Sequence, residues 1–183
     1  MGNRQESIIQ FRTKRFTDAI TRPANAAAYA AGDVISEVTT NDHLTFGTAT
    51  AVDGSGNPVG APGKLSGSID VARCFSSANQ STLPDLELWL FHTDIAEVAD
   101  NSAFAPTDAE MLTLIGIIDF PVADWKVGTA TAGAGGNAVC EARQIGLPFR
   151  LATQVLYGQL VVRNAYTPVT SETFTVELVV TQD

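Results

Sequence analysis

Residues 64–77 read KLSGSIDVARCFSS. Leu65, Ile69, Val71 and Phe75 fall on one side of this stretch, and Ser66, Ser68, Asp70 and Ser76 fall on the other. A period of two separates an apolar from a polar face only in an extended chain; at 3.6 residues per turn the same residues scatter around a helix. The stretch therefore predicts a strand with one face on a core. Residues 173–181 repeat the pattern, with Phe174, Val176, Leu178 and Val180 opposite Thr173, Thr175, Glu177 and Thr181. LELWLF at 86–91 is apolar on both faces apart from Glu87, which predicts a central strand covered on each side, with Trp89 in the core.

Working outward, alternating or β-branched runs bounded by Gly, Pro, Asn or Asp fall at Ser7–Phe16, Asp33–Val38, Leu44–Thr50, Leu114–Phe120, Ala138–Ile145 and Leu156–Asn164. That makes about nine strands with no long helical period between them to form crossovers, so the chain reads as all-β. The predicted architecture is an antiparallel two-sheet β-sandwich, jelly-roll or Ig-like, with one short helix and long loops. The helix is placed after Thr107, where Thr107-Asp108-Ala109-Glu110 spells a capping box. Residues 95–107 (IAEVADNSAFAPT) read as a long connection, and 53–63 (DGSGNPVGAPG) and 128–137 (GTATAGAGGN) as exposed glycine-rich loops.

Charged residues make up 17% of the 183, against roughly 25% in an average soluble domain, and 45% are hydrophobic, which excludes a disordered chain. The net charge of −9 argues against nucleic acid and anionic membrane as partners. The charge is unevenly placed. Five cations (Arg4, Arg12, Lys14, Arg15, Arg22) against Glu6 and Asp18 give the first 22 residues a net +3; six cations against eighteen carboxylates leave −12 on the rest. Residues 1–22 are accordingly read as a basic N-terminal arm or first strand, and 23–183 as the sandwich body of a single domain. In the plainer reading Arg12 and Lys14 line a wet strand face and Arg15 pairs with a carboxylate. No stretch is long and apolar enough to span a bilayer, and the opening residues lack a signal core and a myristoylation pattern.

Motifs that carry chemistry are sparse. Gly133–Ala138 matches a dinucleotide fingerprint by letter but follows a Thr-Ala loop and leads into a strand. Gly63-Lys64 lacks the first glycine and the hydroxyl residue of a phosphate loop, and Asp53–Asn57 meets Pro58 and Lys64 where a calcium loop needs Gly and Glu. Cys74 and Cys140 have neither metal nor redox spacing and read as buried free thiols. His92 beside Asp94 is the one candidate base with an orienting carboxylate. Asp94 with Glu97, or Asp119 with Asp124, pair carboxylates in sequence only, which is weak support for glycoside hydrolysis. Trp89, Trp125, Tyr157 and Tyr166 are the aromatics from which a sugar platform would be drawn, with Trp125 and Tyr166 expected half exposed beside turns. No catalytic residue, cofactor or metal ligand is assigned, and the reading is of a protein that is not an enzyme.

Four segments carry a family resemblance: TRPANAAAYAAGDVIS (21–36), LELWLFHTDIAEVADNSAFAP (86–106), IGIIDFP (115–121) and LPFRLATQVLYGQLVVRNAYTPVTSETFTVELVVTQD (147–183). In these the chain resembles bacteriophage virion structural proteins, especially small head-decoration (cement) or minor capsid proteins. The resemblance covers most of the chain, carries over no functional residue, and implies a place in the virion. It sets the expected function as a capsid decoration protein that binds and stabilises the phage head, with the major capsid protein as partner and a homo-oligomer, a trimer for instance, as the assembled form. The proposed docking arm comprises Arg4, Arg12, Lys14 and Arg15, approaching acidic capsid surface. The alternative is a carbohydrate- or receptor-binding β-module of a tail or fibre, working through loops 53–63 and 95–106.

Overall fold

A computed structural model describes residues 12–40, 42–47, 66–78, 80, 82–128, 137–151 and 155–182. The strands are β1 (Arg12–Thr21), β2 (Val34–Ile35), β3 (Leu44–Phe46), β4 (Ser66–Ser76), β5 (Leu86–Phe91), β6 (Leu114–Phe120), β7 (Lys126–Val127), β8 (Ala138–Arg150), β9 (Leu156–Val162) and β10 (Thr173–Gln182). A single helical turn, α1 (Asp108–Met111), precedes β6, and a 3₁₀ turn (Val122–Asp124) follows it. One sheet runs β1-β10-β4-β8-β7. The other runs β2-β9-β5-β6, with β3 also pairing β9. All pairings are antiparallel. The all-β two-sheet expectation holds.

The core lies between the sheets because each contributes one apolar face. β10 supplies Phe174, Val176, Leu178 and Val180, all fully buried, with the alternation read from the sequence. Against them stand Leu86, Leu88 and Leu90 of β5 and Leu160 and Val162 of β9. β5 is interior to its sheet, as predicted, and its outer face is covered by a loop: Phe104, from the connection after β5, meets Trp89 edge-on at 5.4 Å. Trp89 thus sits half-buried on the outer face. It does not belong to the inter-sheet core assigned to it, because it alternates with Leu88 and Leu90.

β4 corrects the reading that opened the analysis. Ile69 is buried, but Val71 and Phe75 do not share its face; the inward residues after it are Ala72, Cys74 and Ser76. The register against β10 steps from Val180↔Ile69 to Val179↔Val71, leaving Asp70 as an extra residue. This β-bulge reverses the parity of everything after it. Thr181 Oγ1 donates to the Asp70 carboxylate at 2.6 Å. Nearby, Gly67 lies so close to β10 that a Cβ there would stand 2.4 Å from the Thr181 carbonyl oxygen. The described part of the first strand begins at Arg12 and runs to Thr21, beyond the predicted end at Phe16, because Thr17–Thr21 continue the ladder with Thr173–Glu177.

The capping box at Thr107 forms as read. Glu110 N–H donates to Thr107 Oγ1 at 3.3 Å, and Thr107 N–H donates back to Glu110 Oε2 at 2.6 Å. Loop 53–63, with its calcium-like spacing, and residues 129–136 of the second glycine-rich loop lie outside the described residues.

Candidate functional site

Three polar constellations stand out, and the most buried is a tie between distant segments. Arg22 follows β1 directly and is 1% exposed. Its guanidinium donates to Tyr29 Oη, to Asp100 Oδ2 at 3.2 Å, and to the Asn25 and Val169 carbonyls at 3.4 Å each. Tyr29 Oη donates to Asp100 Oδ1 at 2.6 Å, and its ring stacks on Tyr166 with centroids 6.3 Å apart. Tyr166 Oη in turn lies 2.7–2.8 Å from both oxygens of Glu172, which also accepts from Ser76 Oγ at 2.5 Å and Gln80 Nε2 at 2.8 Å. Burial, reinforced by the adjacent carboxylates, holds both phenols far above the ordinary tyrosine range, so they remain protonated donors. Every charged group in the cluster has partners, and Arg22, Tyr29, Tyr166 and Glu172 are buried. Its work is to hold the sandwich together.

The second constellation crosses the outer face of the β1-containing sheet. Glu177 of β10 is the register partner of Arg73 in β4, and Arg73 that of Glu141 in β8. The side chains continue this row: Arg15 bridges to Glu177 at 3.4 Å, Arg73 to both Glu177 and Glu141, and Arg143 to Glu141. Hydrogen bonds from Arg143 and Arg73 hold the Glu141 carboxyl below its usual range, and bonds to Glu177 and Glu141 raise Arg73. The ladder borders a hollow of about 820 Å³ lined by Arg15, Arg73, Phe75, Lys126, Val139 and Arg143. Arg15 and Arg143 at the ends of the row are 69% and 74% exposed.

The third is an acidic cleft of about 340 Å³ bordered by Asp18, Glu37, Asp42, His43, Asp94 and Glu97. Asp18 is fixed by the N–H groups of Ala19 (2.9 Å) and Thr45 (2.6 Å). Glu37 accepts from the side chains and N–H groups of Thr39 and Thr40, which lowers its carboxyl to about 2. His43 is buried against Tyr157, with Nε2 3.2 Å from Asp94 Oδ1. Asp94 therefore faces His43, 51 positions earlier in the chain, and the sequence pairing of Asp94 with His92 is corrected. No serine or cysteine lines this cleft, and among the described residues no group of His, Cys, Asp and Glu is arranged to hold a metal.

Of the four proposed docking residues, the side chains of Lys14 and Arg15 are described. Arg4 lies outside the described residues, and Arg12 opens β1 opposite Gln182. Lys14 alternates with the exposed Arg15, so the two project from opposite faces of the strand; Lys14 shares the face of the buried Ile20. The pairing of Arg15 with Glu177 agrees with the plainer sequence reading. Arg22, counted with the basic segment, is consumed inside the fold. Asp119 and Asp124 are both exposed, in β6 and in the 3₁₀ turn. The aromatic platform is also corrected: Trp125 (6% exposed) and Tyr166 (1%) are buried, the former donating from Nε1 to the Pro84 carbonyl at 2.8 Å. Trp89 is tied to Glu87 and lies under Arg163. Sequence reasoning missed Arg73, Glu141, Arg143 and Glu177 as a group; each is an isolated or i, i+2 charge on its own strand, and the register that aligns them is not readable from one sequence.

No protein-family model matches the chain, and no curated protein sequence matches it.

Proposed function

We propose that the chain is a structural virion protein of the head-decoration, or cement, type, binding the major capsid protein of a phage shell and bracing neighbouring shell subunits. The observation that carries this reading is the outer face of the β1-containing sheet. It presents a row of alternating charge ending in the exposed Arg15 and Arg143, beside the half-buried Phe75 and Val139. Fixed charges of both signs beside a partly apolar floor suit a protein partner, whose complementary charges would set register and orientation. Arg15 stands on this face from the edge strand β1, with Lys14 on the strand's opposite side.

The resemblance to virion proteins supports the reading at the level of construction. Segments 21–36, 86–106 and 147–183 contribute Arg22 and Tyr29, Asp100, and Tyr166 and Glu172 to the buried cluster. They assign no docking residue. Copies bound at equivalent positions of a symmetric shell would contact it identically and could cluster as trimers.

The test is co-sedimentation of the purified chain with undecorated shells of its phage at low and high salt. The expected result is saturation at a fixed ratio, weakened by salt because the contacts are charged. Removing residues 1–11 while substituting Arg15→Glu should weaken binding several-fold with an unchanged circular dichroism spectrum; the deletion stops short of β1, whose residues from Arg12 onward pair with β10. Absence of shell binding, or wild-type stoichiometry and salt resistance in the altered chain, refutes the proposal.

A further inference from the structure

The chain's two cysteines stand opposite each other. Cys74 of β4 and Cys140 of β8 are register partners in the antiparallel ladder, and both are free and buried. Directly opposed residues of such a pair have Cα atoms about 4.5–5.5 Å apart, within the roughly 4.4–6.8 Å that a disulfide spans. Their side chains leave the same face of the sheet, toward the inter-sheet core. We propose that Cys74 and Cys140 form a reversible cross-strand disulfide, a redox-set staple between β4, the middle strand of its sheet, and β8.

The oxidant is a low-molecular-weight disulfide, RSSR. The Cys140 thiolate attacks one of its sulfurs, forming a mixed disulfide and releasing RS⁻; the Cys74 thiolate then attacks the Cys140 sulfur and releases the second RS⁻. The two cysteines give up two protons and two electrons, and RSSR takes up both as two RSH. Cys140 enters first because it lies nearer the sheet edge. Among the described residues the two-residue β7 is the strand outside β8, and Cys140 Sγ sits 3.9 Å from the Pro121 carbonyl oxygen in the segment leading to it. Burial pushes the Cys140 thiol up to about 11 and the Cys74 thiol well above its ordinary value, so both stay protonated at neutral pH and exchange waits on opening of this edge. Such a pair stays reduced in a thiol-rich compartment and closes in oxidising surroundings.

The bond would close a loop of about 65 residues, which corresponds to a Tm increase of about 10 °C in a chain of this size. The experiment incubates the full chain with glutathione disulfide at pH 8, with and without sub-denaturing urea, and follows intact mass, non-reducing electrophoresis and Tm. The expected product is a monomer lighter by about 2 Da whose Tm is raised and returns on reduction, with one cross-linked peptide pair on digestion. Cys140→Ala should give neither the mass loss nor the Tm increase; should that variant not fold, the cross-linked peptide of the wild type decides alone. An unchanged mass in urea, disulfide-linked dimers, or an oxidised form that melts lower than the reduced one overturns the proposal.

Discussion

Replacing Arg22 by Met keeps the side-chain volume and removes the charge from a site with no solvent access. The Asp100 side chain, 6% exposed, then loses its ion pair, and the Asn25 and Val169 carbonyls lose a donor. Removing one partner of a buried pair costs about 3–5 kcal/mol, because the remaining charge stays buried. Asp100 retains Tyr29 Oη at 2.6 Å and the Ser36 N–H at 3.2 Å, which places the loss near the lower end, about 3 kcal/mol. For a chain of this length that is about 6–12 °C in Tm. Urea denaturation of the wild type, Arg22→Met, Asp100→Asn and the double variant measures it, with an expected coupling of about 1–3 kcal/mol between the two positions. A loss under about 1 kcal/mol for Arg22→Met, or additivity within error, would refute the claim that this cluster ties the sandwich together.

Gly67→Ala places a methyl group 2.4 Å from the Thr181 carbonyl oxygen and should lower stability by about 1–3 kcal/mol in thermal melts, since backbone must shift to admit it. Thr107→Ala removes the capping box and should cost about 1 kcal/mol, visible as faster amide exchange confined to residues 108–113. Arg73→Met breaks the middle of the outer-face ladder and should destabilise at pH 7. The Glu141 carboxyl is held below its ordinary value in the folded state, so its contribution is present above about pH 4.3 and disappears as pH falls through the lowered folded-state value. The stability difference between wild type and Arg73→Met should therefore shrink as pH falls below about 4.3; a difference that stays constant through the acid range contradicts the ladder's role. Trp125→Ala empties a buried site and should cost about 3–5 kcal/mol, so it cannot serve as a silent probe of sugar binding.

The strand pattern was legible wherever one face is buried and the other wet. β10 alternates as read, and β6 spans the predicted Leu114–Phe120. The capping box was legible because it is local, set by four consecutive residues. The bulge at Asp70 was hidden because Val71 and Phe75 are apolar enough to keep the alternation going after the parity has changed. Arg22 was counted in the net charge of the basic segment: a buried cation looks like an exposed one until Asp100 and Tyr29 are seen beside it. The same holds for Asp94, whose partner in sequence is His92 and whose partner in space is His43. Trp89 and Trp125 exchanged their expected surroundings because burial on the outer face of β5 comes from Phe104 and Arg163, residues that no local pattern links to it.

Among the described strands β1 forms a ladder with β10 alone, with Arg12 opposite Gln182. On a ribosome this means the earliest strand of the sandwich waits for the latest. For most of synthesis β1 has no ladder partner, only, among the described residues, the bonds from Val38 and Thr45 to Thr21 and Asp18, and its sheet cannot close until β10 emerges to take the place between β1 and β4. Such long-range closure makes folding slow and leaves strand edges exposed meanwhile. Arg12, Lys14 and Arg15 then have a second use, since like charges along the waiting strand discourage two nascent chains from pairing there.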